Sequence, residues 1–158
     1  MLVEDDEDDY IIIRAFIPEI KTPSFVLDWV TTYESGLDAM RNNRFAAYLV
    51  DYRLGPWSGL DLLREAIASG CVGPIIILTG QGDHEVDMTA MEAGAADYLI
   101  KDQIDAPLLE RSIVMPYAIS KLKRTCRLAR KRCVPSIKAS PSQPLPGSTM
   151  IILSFLST

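Results

Sequence analysis

The chain is poor in groups that react by themselves. Its 158 residues include one histidine, His84, and three cysteines, Cys71, Cys126 and Cys133, without zinc-site spacing. Nothing around His84 suggests a phosphohistidine or a metal ligand, so it reads as a surface residue in a helix's first turn. The odd cysteine count points to reduced thiols, not to a disulfide framework. No apolar run approaches the roughly 20 residues of a membrane span, and the stretch from Met150 to Leu156 is far too short. A secretory signal would begin with basic residues, whereas this chain begins Met1-Leu2-Val3 and then Glu4-Asp5-Asp6-Glu7-Asp8-Asp9. The expectation is a cytoplasmic protein without membrane contact. A Gly-x-x-x-x-Gly-Lys loop is also missing, which excludes a P-loop kinase.

Acids are missing from one end. Residues 1–110 hold all 21 acids and 7 bases, whereas residues 111–158 hold 9 bases and no acid. Such a break marks a change of kind along the chain. From Val134 on, Pro135, Ser136, Ser140, Pro141, Ser142, Pro144 and Pro146 make a segment expected to be disordered or a linker. The expected division is a folded domain at 1–118 and a basic, then Pro/Ser-rich tail at 119–158. The basic stretch from Lys121 to Lys138 has neither a helix-turn-helix pattern nor interleaved aromatics, so a nucleic-acid partner is not expected.

What is present is an alternation. Met1 to Val3, Ser24 to Val30, Ala46 to Val50, Ile75 to Leu78 and Ala96 to Ile100 read as strands. Between them fall helical patterns. Tyr10, Ile13, Phe16 and Ile17 mark the first helix, which Pro18 ends or kinks, and Ser35 to Asn43 the second. Ser58-Gly59 opens the third, with Leu60, Leu63, Ala66 and Ile67 facing inward and Gly70 as its stop. Asp83 opens the fourth, with Val86, Met88, Ala90, Met91 and Ala93 as its apolar residues, and Gly94 closes it. Asp105 and Pro107 start the fifth, with Leu108, Leu109 and Ile113. Pro116 should kink or end that helix by deleting a hydrogen bond to Ser112. Five strands alternating with five helices predict a doubly wound α/β domain with a parallel sheet.

Ligands and chemistry gather at the C-terminal edge of such a sheet. That edge receives Glu4-Asp5 from strand one, Asp51 from strand three, Thr79 from strand four and Lys101 from strand five. Carboxylates brought together repel one another unless a cation joins them, and oxygen ligands of this kind suit Mg²⁺. A lysine and a hydroxyl beside them supply donors for a tetrahedral anion. The chemistry within reach is phosphoryl transfer onto a carboxylate, with Asp51 attacking in line.

Four stretches carry a resemblance: Leu2-Val3-Glu4-Asp5-Asp6, Leu49-Val50-Asp51-Tyr52-Arg53-Leu54-Gly55, Ile76-Ile77-Leu78-Thr79-Gly80 and Asp97-Tyr98-Leu99-Ile100-Lys101. Together they resemble the response-regulator receiver domain of two-component signalling, over about residues 1–115. The resemblance implies a flavodoxin-like (CheY-like) fold with strand order 2-1-3-4-5. It implies Asp51 as phosphoacceptor, Lys101 as the phosphate-pairing lysine, Thr79 as switch hydroxyl and Tyr98 as its aromatic partner. It also implies Mg²⁺ held by Glu4, Asp5, Asp51 and the backbone carbonyl of Arg53, with Asp5 the more direct ligand of the acidic pair.

The implied partners are a sensor histidine kinase or phosphotransfer protein and an output domain or protein. A homodimer through the face of the fourth helix, fifth strand and fifth helix is a further implied option. The implied role is signalling, assisted by the domain's own aspartyl phosphorylation and dephosphorylation, and not enzymatic turnover. The family commonly has proline after the lysine, where this chain has Asp102. An alternative function is a degenerate receiver that binds protein without phosphorylation. A phosphatase of the haloacid dehalogenase type would need a second Asp where Arg53 stands. A flavodoxin-like cofactor carrier would need Ser, Thr or Gly in the acidic first loop.

Overall fold

Short runs of aliphatic residues form the centre of the molecule, as their lack of polar residues requires. The computed structural model describes residues 1–20, 24–80 and 89–132. Its main sheet has β1 at Leu2–Val3, β2 at Trp29–Val30, β3 at Tyr48–Asp51, β4 at Ile75–Thr79 and β5 at Asp97–Ile100. Numbered within this sheet, the strands pair in parallel in the order β2-β1-β3-β4-β5, the expected one. Every residue of β3 and β4 is buried, as strands covered on both faces must be.

The helices are α1 at Glu7–Phe16, α2 at Tyr33–Arg41, α3 at Gly59–Ala68, the helical residues 89–92 (α4) and α5 at Ala106–Arg132. Alternate strand residues face opposite ways and so divide the core in two. On one face Leu2, Leu49, Ile76, Leu78 and Leu99 pack with Ile13 of α1 and Leu109 and Ile113 of α5. On the other, Val3, Val50 and Ile77 pack with Leu37 and Met40 of α2, Leu60, Leu63 and Ala66 of α3, and Ala90 of α4.

Several boundaries differ from the sequence reading. β2 is two residues long, not seven, because its ladder partner β1 offers only Leu2 and Val3. The second helix starts two residues early, where the Thr32 hydroxyl accepts from the Ser35 amide at 3.2 Å. Ile67 is 43% exposed, and Leu62 takes the inward position instead. Gly70 does end α3, at φ +90°. Asp105 caps α5 as expected, accepting from the Leu108 amide at 2.7 Å.

α5 does not end at Pro116. Proline removes one hydrogen bond, but the turns on either side continue, and the Ser120 hydroxyl donates to the Pro116 carbonyl at 2.8 Å. The helix runs without interruption past residue 118 to Arg132. The start of the fourth helix at Asp83, His84, and the Pro/Ser-rich segment lie outside the described residues.

Candidate functional site

β1 delivers two acids to the sheet edge because the chain leaves the strand right after Val3. Asp6 then caps α1, its Oδ1 accepting from the Asp8 amide at 2.8 Å. The Trp29 indole donates to the Glu4 carbonyl at 2.8 Å and its ring stacks on Tyr10 at 4.1 Å, fixing the strand end between β2 and α1. Glu4 is left fully buried and Asp5 exposed.

Asp51 ends β3 and is 5% exposed. Its Oδ2 accepts from the Arg53 amide at 3.0 Å. The chain after it folds into a two-stranded ribbon, Arg53–Leu54 against Trp57–Ser58. Ser58 caps α3, and the Gly59 amide donates to the Tyr52 carbonyl at 2.8 Å. A Cβ at Gly59 would fall 2.1 Å from the Asp51 carbonyl oxygen, so only glycine lets the helix begin this close to the acid.

Lys101 follows β5 and opens a 3₁₀ turn, Lys101–Gln103, where the family pattern has proline next. Its Nζ lies 2.8 Å from Asp51 Oδ1 and 2.8 Å from Glu4 Oε2, and it donates a hydrogen bond to Asp9 Oδ2. One cation therefore faces three carboxylates. Asp5 adds a fourth at the rim, its Oδ2 accepting from the Gly55 amide at 3.0 Å. Ligand oxygens of Glu4, Asp5 and Asp51 lie within 4.8 Å of one another.

Burial pushes the Glu4 carboxyl up to about 7, against the pull of Lys101. It also pushes Asp51 above the ordinary carboxylate range, with Lys101 and the Arg53 amide acting in opposition. For Lys101 burial acts to lower the value, but contacts with Asp51, Asp9 and Glu4 outweigh it and hold the ammonium above ordinary lysine. Negative charge exceeds what one lysine offsets, and Glu4 Oε2 is buried without a hydrogen bond. This oxygen-only donor set fits a hard divalent cation such as Mg²⁺.

Thr79 ends β4, is 1% exposed and pairs in register with Ile100, the residue before Lys101. Tyr98 pairs with Ile77, so Thr79 and Tyr98 share one sheet face, and the Tyr98 ring packs on the core of that side. The structure thus gathers Glu4, Asp5, Asp51 and Lys101, sets Thr79 on the adjoining strand end, and leaves Tyr98 further back. Two participants escaped the sequence reading. Asp9 was only one member of the acidic run Glu4 to Asp9, although its place in the first turn of α1 brings it to Lys101 at the sheet edge. Gly59 looked like a helix start, and only the approach to Asp51 distinguishes it.

No described helix is long and apolar enough to cross a membrane. The family model for the response regulator receiver domain matches residues 1–113. The chain is 34% identical over 113 residues to the response regulator RppA of Synechocystis sp., covering 70% of this chain and 47% of that protein. It is 32% identical over 95 residues to the transcriptional regulatory protein QseB of Escherichia coli O157:H7, covering 60% and 43%. The chain thus spans less than half of either relative.

Among solved structures, the signal receiver domain of a LuxO repressor protein from Vibrio parahaemolyticus superposes with a TM-score of 0.69 at 22% identity, covering 79% of this chain and 93% of that one, a likeness of fold. The receiver domain of the sensor histidine kinase PA1611 of Pseudomonas aeruginosa, solved with magnesium coordinated in its active-site cleft, gives 0.62 at 28% identity, covering 74% and 94%. With the sheet order, the acid-lined edge and the matched length in agreement, this chain belongs to the response regulator receiver domain family of two-component signalling.

Proposed function

We propose that Asp51 is the phosphoacceptor of a two-component relay, supplied by a sensor histidine kinase or a phosphotransfer protein. The carrying observation is its placement: a buried carboxylate at the end of β3, 2.8 Å from the Lys101 ammonium and within 4.8 Å of Glu4 and Asp5 oxygens. An Asp51 oxygen attacks phosphorus as the bond from phosphorus to the donor's imidazole nitrogen breaks, and that nitrogen takes up a proton. Glu4, Asp5, Asp51 and the Arg53 carbonyl are the groups that would hold Mg²⁺, which supplies charge neutralisation between the carboxylates and the incoming phosphoryl group. Lys101 and the Thr79 hydroxyl take its oxygens. Gly80, with open space where a side chain would be, leaves the approach clear for donor and water.

Once Thr79 is drawn toward the phosphoryl group, the Tyr98 ring turns into the space left behind. The face of α4, β5 and α5 changes, and an output domain, a partner protein or a second copy reads it. The phosphoryl group shifts this equilibrium only through contacts that differ between the two arrangements. The chain is on this reading a switch, assisting its own phosphorylation and dephosphorylation.

The test is incubation with acetyl phosphate and Mg²⁺, followed by intact mass. The wild type should gain one phosphoryl group, labile to hydroxylamine, and Asp51→Asn none. A labile phosphoryl group on Asp51→Asn would refute the assignment. Thr79→Ala should still accept the group but show no change in amide exchange over residues 89–113. An exchange response as large as wild type would remove Thr79 from the switch.

A further inference from the structure

Asp9 has no part in the phosphoryl chemistry above, yet it holds that chemistry's own cation. It is the third residue of α1, whose first turn carries Glu7, Asp8 and Asp9 in sequence. Two other acids already serve the helix dipole, so Asp9 is not needed for that. Its side chain is 31% exposed, against 1% for Glu4, 7% for Asp51 and 16% for Lys101. Asp9 therefore stands at the mouth of the site, outside the buried acids.

The Lys101 ammonium donates a hydrogen bond to Asp9 Oδ2 while its nitrogen also lies 2.8 Å from Glu4 Oε2 and 2.8 Å from Asp51 Oδ1, so three carboxylates compete for its three N–H groups. An N–H directed at Asp9 is not available to a phosphoryl oxygen on Asp51. The Asp9 charge also stands at the rim, where it repels an anionic phosphodonor.

We propose that Asp9 is a positioning residue that holds Lys101 at rest and thereby slows phosphoryl acceptance by Asp51. This rests on Asp51 being the phosphoacceptor. The two effects act in the same direction. Losing the Asp9 charge leaves the ammonium, which already lies 2.8 Å from Asp51 Oδ1, free to follow the incoming phosphoryl oxygens, and lowers the electrostatic barrier to the donor. Asp9→Asn keeps an acceptor oxygen and removes the charge; Asp9→Glu keeps the charge one methylene further out.

The experiment has two arms on the full chain. In the first, the resting protein is treated with limiting acetic anhydride, and acetylation of Lys101 is measured by peptide mass spectrometry. In the second, the initial rate of Asp51 phosphorylation by acetyl phosphate is followed at saturating Mg²⁺ across ionic strength. Asp9→Asn should acetylate Lys101 several times faster than wild type. It should also accept phosphate about fivefold faster at low salt, with a flatter salt dependence, and Asp9→Glu should stay near wild type in both. Unchanged Lys101 acetylation in Asp9→Asn overturns the proposal. So does an Asp9→Glu protein that behaves as Asp9→Asn, or a phosphorylation rate that Asp9→Asn leaves unaltered. If no variant, wild type included, gains phosphate on Asp51 while Asp9→Asn still acetylates faster, the phosphoacceptor reading fails and the hold on Lys101 stands.

Discussion

Glu4→Gln should stabilise the metal-free protein at alkaline pH and leave it unchanged in acid. Burial pushes the folded-state value from 4.5 to about 7. Between those values the folded protein keeps a proton on Glu4 that the unfolded chain has released, so stability falls as pH rises through the window. The full difference, about 2.5 pH units, corresponds to about 3 kcal/mol at about 1.36 kcal/mol per unit. Little solvent screening applies, since the side chain is 1% exposed.

Glutamine removes the charge but keeps an oxygen for the Asp6 amide, which now donates to Glu4 Oε1 at 3.3 Å. Lys101 retains Asp51 and Asp9. The assay is urea unfolding with a chelator at pH 4 and pH 8. Glu4→Gln should match wild type at pH 4 and exceed it by about 2–3 kcal/mol at pH 8. Added Mg²⁺ should stabilise wild type at pH 8 far more than the variant. A variant no more stable than wild type at pH 8, or equally stabilised at both pH values, would refute the account of a buried, uncompensated carboxylate.

Two further substitutions probe what positions the site. Gly59→Ala places a methyl 2.1 Å from the Asp51 carbonyl oxygen, so the strand end must shift; we expect a loss of about 2–3 kcal/mol in urea unfolding and weaker Mg²⁺ binding by titration, and a wild-type midpoint would contradict it. Ser112→Ala removes the 2.6 Å hydrogen bond from its buried hydroxyl to Asp97 Oδ2; a loss of about 1–2 kcal/mol is expected, and an unchanged midpoint would mean that Asp97 finds another donor.

The sheet was legible because each central strand is an unbroken apolar run and each strand ends in a polar residue. Ile75-Ile76-Ile77-Leu78, short, β-branched and preceded by Pro74, reads as a strand buried on both sides, and Asp51 after Leu49-Val50 emerges at the sheet edge. The order of the acids and of Lys101 along the chain then placed four of the site's groups together. Side-chain pairs between elements far apart in sequence were not legible. Asp9 and Lys101 lie 92 residues apart, and nothing local distinguishes Asp9 from Asp8. The length of β2 was overread because Phe25 and Leu27 pack on the core without a strand beside them to pair with, while Val26 between them is exposed. Pro116 was read by a local rule, whereas a helix with intact turns on both sides tolerates the loss of one bond.

On the proposed function, Lys101 is where phosphoryl acceptance would meet the output face. Its ammonium reaches β1, α1 and β3 through Glu4, Asp9 and Asp51, while its backbone opens the turn that joins β5 to α5. That turn is closed by the Ile104 amide on the Lys101 carbonyl at 3.3 Å and leads directly to the Asp105 cap. At the other end of β5, Asp97 is joined to α5 by Ser112, so strand, turn and helix are tied at both ends. A group fastened this way moves as a unit more readily than it bends. A phosphoryl group that draws Lys101 off Asp9 would therefore act on β5 and α5 together. Ser112→Ala, with one tie cut, should still accept phosphate on Asp51 but show a smaller change in α5 amide exchange than wild type. An undiminished response would mean that the signal reaches α5 by another route.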